Sequence, residues 1–423
     1  MRIVRGDRGT MVEYVQLALQ RAGYPVTVDG VFGGDTCRAL AEFLEKGEQD
    51  CIVDDSVFES LALYLRGSVR YEVQPGDSFY EIASKYHIGM QALMNANPGV
   101  GPLYLMPGMT LFVPLPFPVV AQNVAYSSFL VRYLVEGLTE RYPFLEVGNI
   151  GQSVLNRELW YVRIGNGERE LFYSAAYHAN EWITTPLLLR FVEDYAQAYA
   201  MGKRIGGVDA KWLFDHYSLY VVPMVNPDGV DLVNGLPIEE KAYEQARAIA
   251  AAYPEIPFPD GWKANIEGID LNLQFPAGWE EAKRIKYAQG YTTPAPRDYV
   301  GEAPLTAPES AAVYQFTKEH DFRLILAYHT QGEVIYWKYQ DYEPARSYEI
   351  AQYFGAVSGY AVEETPAASG NAGYKDWFIM TYDRPGYTIE AGMGKNPLPL
   401  SQLQGMYEAN LGIFVGGMIK TES

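Results

Sequence analysis

The stretch Leu171-Phe-Tyr-Ser-Ala-Ala-Tyr-His-Ala-Asn-Glu-Trp-Ile183 decides how this chain is read. An apolar, strand-like run ends at His178, and Glu181 follows in the loop beyond it. A metal ion needs a neutral imidazole and a carboxylate held about 2 Å away, and strand ends with the loops after them hold such ligands rigidly. The chain has only five histidines, His87, His178, His216, His320 and His329. Of these, His329 closes a second apolar run, Phe322-Arg-Leu-Ile-Leu-Ala-Tyr-His329, and so repeats the pattern of the first. Two histidines and one glutamate leave a position open on a zinc ion, as a catalytic site requires and a structural site does not. Alone, an H-x-x-E tetrapeptide is more often a surface histidine near a solvated glutamate, so the second run carries much of the weight.

Length and composition bound the rest. A chain of 423 residues is too long for one compact core, and its 48% hydrophobic and 14% aromatic content is that of folded domains. A net charge of -19 excludes nucleic acid and any polyanion held by bulk electrostatics. Cys37 and Cys51 are the only cysteines, and in an otherwise cysteine-free chain they are expected to be free, buried thiols. The opening residues lack the apolar segment of a secretory signal, and no apolar run is long enough to span a membrane. The expectation is a soluble chain without a Sec signal, cytoplasmic or sporulation-associated.

Ahead of the metal motif stand two small modules. In residues 1–66, Val12, Val15, Leu17, Leu19 and Ala22 form a helical stripe stopped at Gly23-Tyr-Pro25, then a tight turn at Asp29-Gly-Val-Phe-Gly33 precedes a second helix over about 35–45. With Gly6-Asp-Arg-Gly9, Leu17-Ala-Leu-Gln20 and Thr36, this pattern resembles the small all-α peptidoglycan-binding domain of wall hydrolases. Residues 70–115 follow another order: a strand at Tyr71-Glu-Val73, a turn at Pro75-Gly-Asp-Ser78, helical faces at Ile82, Ala83, Tyr86 and at Ile88, Leu93, Met94, then a strand at Thr110-Leu-Phe-Val-Pro114. Together with Asn95-Ala-Asn-Pro98 and Pro107-Gly108, this βααβ order resembles a LysM module, which implies binding of N-acetylglucosamine-containing glycan. Residues 116–122 read as a proline-stiffened linker, an extended spacer.

From 123 to 423, helix-like and strand-like runs alternate, an α/β pattern expected to form a mixed sheet with helices on both faces. Strands are expected at 170–178, 217–225, 322–329 and 386–391, and helices at 184–200, 236–252, 307–320, 345–358 and 400–418, with Thr184 able to cap the first. His178-Ala-Asn-Glu181, Asn226-Pro-Asp-Gly229, Gly268-Ile-Asp-Leu-Asn272, His329 and Thr388-Ile-Glu390 have the order and approximate spacing of the zinc carboxypeptidase (carboxypeptidase A-like) family, which the domain resembles. The resemblance implies one Zn2+ per chain, held by His178, Glu181 and His329, with Glu390 as general base and then acid. It also implies a cation beside the scissile carbonyl, for which Lys263 after Trp262 is the candidate.

Two departures from the family pattern shape the expected substrate. Asn272-Leu273 stands where the family's exopeptidases carry Asn-Arg, and leucine cannot grip a free C-terminal carboxylate. Lys375, in Tyr374-Lys-Asp-Trp377, occupies the place of the specificity residue, where a lysine favours a side chain ending in a carboxylate, such as the distal end of meso-diaminopimelate. Asn272, Tyr374 and Lys375 are therefore the expected substrate contacts, Tyr374 as the nearest substitute for the exopeptidases' mobile tyrosine. The whole arrangement resembles the bacterial γ-D-glutamyl-diaminopimelate endopeptidases, which implies action on peptidoglycan stem peptides. Two alternatives stay open: a metallocarboxypeptidase acting on ordinary peptide C-termini, and an inactive wall-binding protein.

Overall fold

The apolar runs that end at His178 and His329 lie side by side as parallel strands in a computed structural model that describes residues 2–47 and 51–421. The chain divides into two units, Met1–Ala125 with Phe129–Glu146, and Tyr126–Ser128 with Val147–Ser423.

The first unit contains β1 (Arg2–Val4), α1 (Thr10–Arg21), α2 (Gly34–Leu44), β2 (Ile52–Asp54), α3 (Asp55–Arg66), β3 (Ser68–Glu72), α4 (Phe79–Lys85), α5 (Met90–Ala96), β4 (Thr110–Pro114) and most of α6 (Ser128–Arg141). The expected stripe of α1 is buried, and Gly30, at φ 69°, makes the turn that follows, where the Gln16 side chain accepts the Asp29 and Gly30 N–H groups. The expectation of an all-helical start is corrected. β1 pairs antiparallel with β2, setting Ile3 against Val53, and strands of three residues are too short to show alternation in sequence. The expectation of free thiols is also corrected, because Cys37 and Cys51 form a disulfide with their Cα atoms 5.4 Å apart.

The βααβ module stands as read. β3 and β4 pair antiparallel over Val73, Phe79, Ile82, Leu93, Leu111 and Val113, and Ser78 caps α4 by accepting the Glu81 N–H. Asn97 ties the end of α5 to β4: its amide donates to the Leu93 and Phe112 carbonyls and its oxygen accepts the Phe112 N–H. The proline stretch after β4 is no free spacer. Arg141 donates to the Leu115 and Phe117 carbonyls and Arg21 to those of Pro118 and Val119. α6 carries Phe129 against Tyr14 and Phe58, so residues assigned from sequence to the domain starting at 123 pack within the first unit.

The second unit is built on β5 (Glu146–Gln152), β6 (Glu158–Ile164), β7 (Arg169–Ala175), α7 (Thr184–Ala200), the hairpin β8 (Arg204–Ile205) and β9 (Val208–Asp209), α8 (Ala210–His216), β10 (Tyr217–Val222), α9 (Pro227–Val233), α10 (Glu240–Ala251), α11 (Trp279–Ala288), α12 (Pro308–Glu319), β11 (Leu324–His329), β12 (Val334–Tyr336), α13 (Ser347–Ser358), β13 (Ala361–Glu363), α14 (Tyr374–Tyr382), β14 (Gly386–Glu390) and α15 (Leu403–Ile419). Eight strands form one mixed sheet in the order β13-β12-β14-β11-β7-β10-β6-β5, with β14, β11, β7 and β10 parallel at its centre. Buried on both faces, the central strands read in sequence as unbroken apolar runs. Alternation then assigns each face its cover. Phe172 and Ile325 join Phe316 of α12 and Trp377 and Phe378 of α14, whereas Tyr173 and Tyr328 meet Phe414 of α15, which stacks in turn on Phe191 of α7. The N-cap position of α7 is Ile183, not Thr184, whose hydroxyl instead donates to the Glu181 carbonyl and accepts the Ala176 N–H.

Two fully buried carboxyl groups fasten the turn between β5 and β6. Asp228 accepts from the Ser153 hydroxyl and the Leu155 N–H, and Glu309 from the Val154 N–H and the Asn265 amide. Burial raises Asp228 to about 6, with the Asp231 charge adding to it, and raises Glu309 to about 7, with the Asp228 charge adding to it. Both bind their protons more tightly in the fold than in the unfolded chain, so their contribution is fully present at low pH and is lost as pH rises through these values, at most about 1.4 kcal/mol per pH unit per proton. Replacing Glu309 by Gln should flatten the fall of the unfolding temperature between about pH 4.5 and 7. Calorimetry that finds the same pH profile for both proteins would remove the pair from this role.

Candidate active site

Three parallel strands end at one place. β7 leads through Ala176 and Tyr177 to His178, β11 ends on His329, and β14 ends on Glu390, which faces His329 across the ladder. The carboxyl ends of parallel strands are where α/β sheets leave a crevice for ligands. Here that crevice is a cavity of about 210 Å3 with His178, Lys263, Asn272, His329, Lys375 and Glu390 among its walls.

His178, Glu181 and His329 converge, their ligand atoms within 4.8 Å of one another. His178 Nδ1 lies 3.0 Å from Glu181 Oε1, His329 Nδ1 lies 3.0 Å from Oε2, and the two Nδ1 atoms are 3.3 Å apart. Asp270 sits behind His178, with Oδ1 3.1 Å from Nε2, and also accepts the Asn272 and Asp298 N–H groups. A carboxylate there holds the imidazole proton on Nε2 and turns the Nδ1 lone pair toward the centre, as metal-binding histidines require. Two ring nitrogens and a carboxylate turned toward one point, nearly closed to solvent, form a donor set that fits zinc. The electrostatics agree. Burial works against charge throughout, yet Glu181 and Asp270 raise His178 to about 9, and His178 and Lys263 hold Glu181 well below the usual carboxylate range.

Neighbouring motifs position these ligands. Asn226 caps α9 by accepting the Gly229 N–H, and its amide donates to the Tyr177 and Ala264 carbonyls, clamping the His178 turn and the Lys263 loop together. A Cβ on Gly229 would lie 2.7 Å from the Ala264 carbonyl oxygen and 2.8 Å from the Ala179 Cβ, so only glycine lets the helix approach this closely. The Ala179 N–H donates to the Lys263 carbonyl.

The Glu390 carboxyl has no hydrogen-bond partner among the described residues, and the residue lines the cavity. Burial first and Glu181 second raise it to about 8. Lys263 does reach the site, donating to Glu181 Oε1 at 2.7 Å. Asn272 accepts the Tyr374 N–H with its side-chain oxygen at the start of α14 and lines the cavity. Two expected contacts change. Tyr374 is a core residue, fully buried between Tyr177, Phe275 and Trp377, with its hydroxyl on Thr317, because the first turn of α14 points it inward. Lys375 lines the cavity, but its ammonium meets the Lys338 carbonyl, the Thr365 hydroxyl and Asp376 Oδ1, so it is not a free charge awaiting a substrate carboxylate.

Sequence reasoning missed Tyr336 and Arg297. Together with Lys263 and Glu390 they line both this cavity and a neighbouring one of about 520 Å3 that extends past Asn180, Pro257 and Asn396. Tyr336 ends β12, a strand of three residues that is too short to show alternation in sequence. No periodicity marks Arg297 in its proline-rich loop.

Comparison with known proteins agrees with this geometry. Residues 131–411 match the zinc carboxypeptidase family and residues 71–114 the LysM domain. The chain is 45% identical over 298 residues to gamma-D-glutamyl-L-diamino acid endopeptidase 1 of Lysinibacillus sphaericus, covering 70% of this chain and 72% of that protein. It is 38% identical over 297 residues to the uncharacterized protein YqgT of Bacillus subtilis, covering 70% and 77%. The fold resembles bovine thrombin-activatable fibrinolysis inhibitor in complex with tick carboxypeptidase inhibitor (TM-score 0.52, 17% identity, 71% of this chain and 98% of that one). It also resembles carboxypeptidase A of Helicoverpa armigera (TM-score 0.52, 19% identity, 70% and 73%). A histidine-glutamate-histidine cluster at parallel strand ends, in a domain matched along nearly its whole length, makes this chain a zinc metallopeptidase of the zinc carboxypeptidase family, joined to a LysM domain.

Proposed function

We propose that this chain hydrolyses the amide between the γ-carboxyl of D-glutamate and the amine of diaminopimelate in peptidoglycan stem peptides. The observation that carries the reading is the 45% identity to an endopeptidase named for that class of bond. Leu273 on the cavity wall supports it, since it offers no grip for an ordinary C-terminal carboxylate. The LysM domain would bring the peptidase to N-acetylglucosamine-containing glycan, and the helices of residues 1–66 would add a second wall contact.

His178, Glu181 and His329 would hold one zinc per chain, which when bound polarises the scissile carbonyl and makes a water more acidic. Glu390 takes one proton from the attacking water, whose oxygen bonds to the carbonyl carbon. As the C–N bond breaks, Glu390 passes that proton to the departing nitrogen, and the hydroxyl proton left on the new γ-carboxyl group follows it to the amine, leaving a γ-carboxylate and an ammonium group. To begin, Glu390 must be ionised, and Lys263 favours that form against the cost of burial. Lys263 also offers positive charge to the oxygen on which negative charge develops. It does so as a point charge shared with Glu181, without the fork of an arginine.

Zinc-loaded protein should split L-alanyl-γ-D-glutamyl-meso-diaminopimelate into L-alanyl-D-glutamate and diaminopimelate. Glu390→Gln should lower kcat by about 10²–10⁴-fold and Lys263→Ala by about 10²–10³-fold. Mass spectrometry that finds no cleavage by zinc-loaded protein would overturn the assignment. Asp270→Asn should bind zinc about ten- to a hundredfold more weakly in competition with a chelator, and unchanged affinity would show that Asp270 does not orient His178. The Cys37–Cys51 disulfide favours an oxidising compartment over the reducing cytoplasm. Protein quenched with acid in the cell should resist thiol alkylation, and two reactive cysteines would place it in a reducing compartment.

A further inference from the structure

The cations around the cavities are nearly all committed to partners. Lys263 is held by Glu181, Lys375 by Asp376, and Lys286 by Asp298 at 2.5 Å. Arg297 is different. It meets Asp298 Oδ2 through Nε alone, and its two terminal nitrogens have no partner among the described residues. The side chain keeps 43% of its surface exposed. Lys395 is the other uncommitted cation, but it is exposed and lines only the second cavity.

The backbone of Arg297 is fixed on both sides. The carbonyl of Pro296 accepts the Lys263 and Ala264 N–H groups, and the N–H of Asp298 donates to Asp270, the carboxylate behind His178. Asp298 adopts φ 64°, a left-handed conformation that aspartate tolerates better than most residues, and its carboxylate is divided between Lys286 and Arg297. Arg297 is thus a fixed stem carrying an open fork. It belongs to the four residues, with Lys263, Tyr336 and Glu390, that line both cavities.

Glu390 and Lys263 must flank the scissile carbonyl, so the acyl residue and the leaving diamino acid divide between the two cavities, with Arg297 at their junction. An α-linked residue presents a carboxylate on the acyl side only when its own side chain is acidic. A γ-linked glutamyl residue does, because its α-carboxylate is free and lies a short carbon chain from the carbonyl. Arginine matches a carboxylate with two parallel hydrogen bonds. Resting on the γ-glutamyl reading above, we infer that Arg297 binds the free α-carboxylate of the glutamyl residue and thereby favours γ-linked glutamyl substrates over acyl residues that carry no carboxylate.

The test compares L-alanyl-γ-D-glutamyl-meso-diaminopimelate with the same peptide carrying the glutamyl α-carboxylate as its amide, on zinc-loaded wild type, Arg297→Ala and Arg297→Lys. Wild type should prefer the free acid by about 10²-fold in kcat/KM, Arg297→Ala should lose that preference by slowing on the acid alone, and Arg297→Lys should keep part of it. In the Glu390→Gln background, calorimetry should show the same loss in substrate Kd when Arg297 is removed. Equal turnover of both peptides by wild type would overturn the inference while leaving the γ-glutamyl reading in place. A variant that slows on both alike would also overturn it and move Arg297 to the leaving group or the fold. Cleavage of neither peptide by wild type would overturn the reading and the inference together.

Discussion

The parallel pairing of β11 with β14, which sets His329 opposite Glu390, is the constraint on which the rest of the site depends. A metal ligand and a proton carrier on adjacent strands keep a spacing set by the sheet ladder, not by loop conformation. Their backbones are locked by hydrogen bonds on both sides, and both strands are buried beneath helices. The third strand of the group, β7, delivers its histidine past the ladder's end. That extra length is where Asn226, Gly229 and the Lys263 loop are needed to hold the chain.

So many buried charges would be costly if any were unpaired. Around the ligands, each carboxylate has a cation or several N–H donors: Glu181 has Lys263 and the Thr330 N–H, and Asp270 has His178 and two backbone N–H groups. Among the charged groups that line both cavities, the Glu390 carboxyl and the Arg297 fork stand outside this accounting. Charged groups left open on a cavity wall are the ones that a substrate can complete.

The central strands and the ligands at their ends were legible because strands buried on both faces leave unbroken apolar runs, and a histidine or glutamate closing such a run stands out. The LysM module was legible for a related reason, its turn residues falling at fixed offsets between short apolar faces. What could not be read depended on which way a side chain points within a helix or loop. Tyr374 and Lys375 are consecutive, yet the first turn of α14 sends one into the core and the other to the cavity wall. Arg297 and Tyr336 reach the site from a proline-rich loop and a three-residue strand, segments too irregular or short to carry periodicity. The Cys37–Cys51 pair turned on how the chain returns from α2 to β2, which spacing does not encode.

Gly229 shows how far the site extends beyond the residues that would touch a substrate. It lies on α9, bears no functional group, and is packed against the Ala264 carbonyl and the Ala179 side chain. Ala179 follows His178, and Ala264 follows Lys263. A methyl group at position 229 would therefore act as a wedge between a metal ligand and the cation assigned to the carbonyl, displacing both in one movement. The helix works as a gauge block, setting the width of the active site from behind.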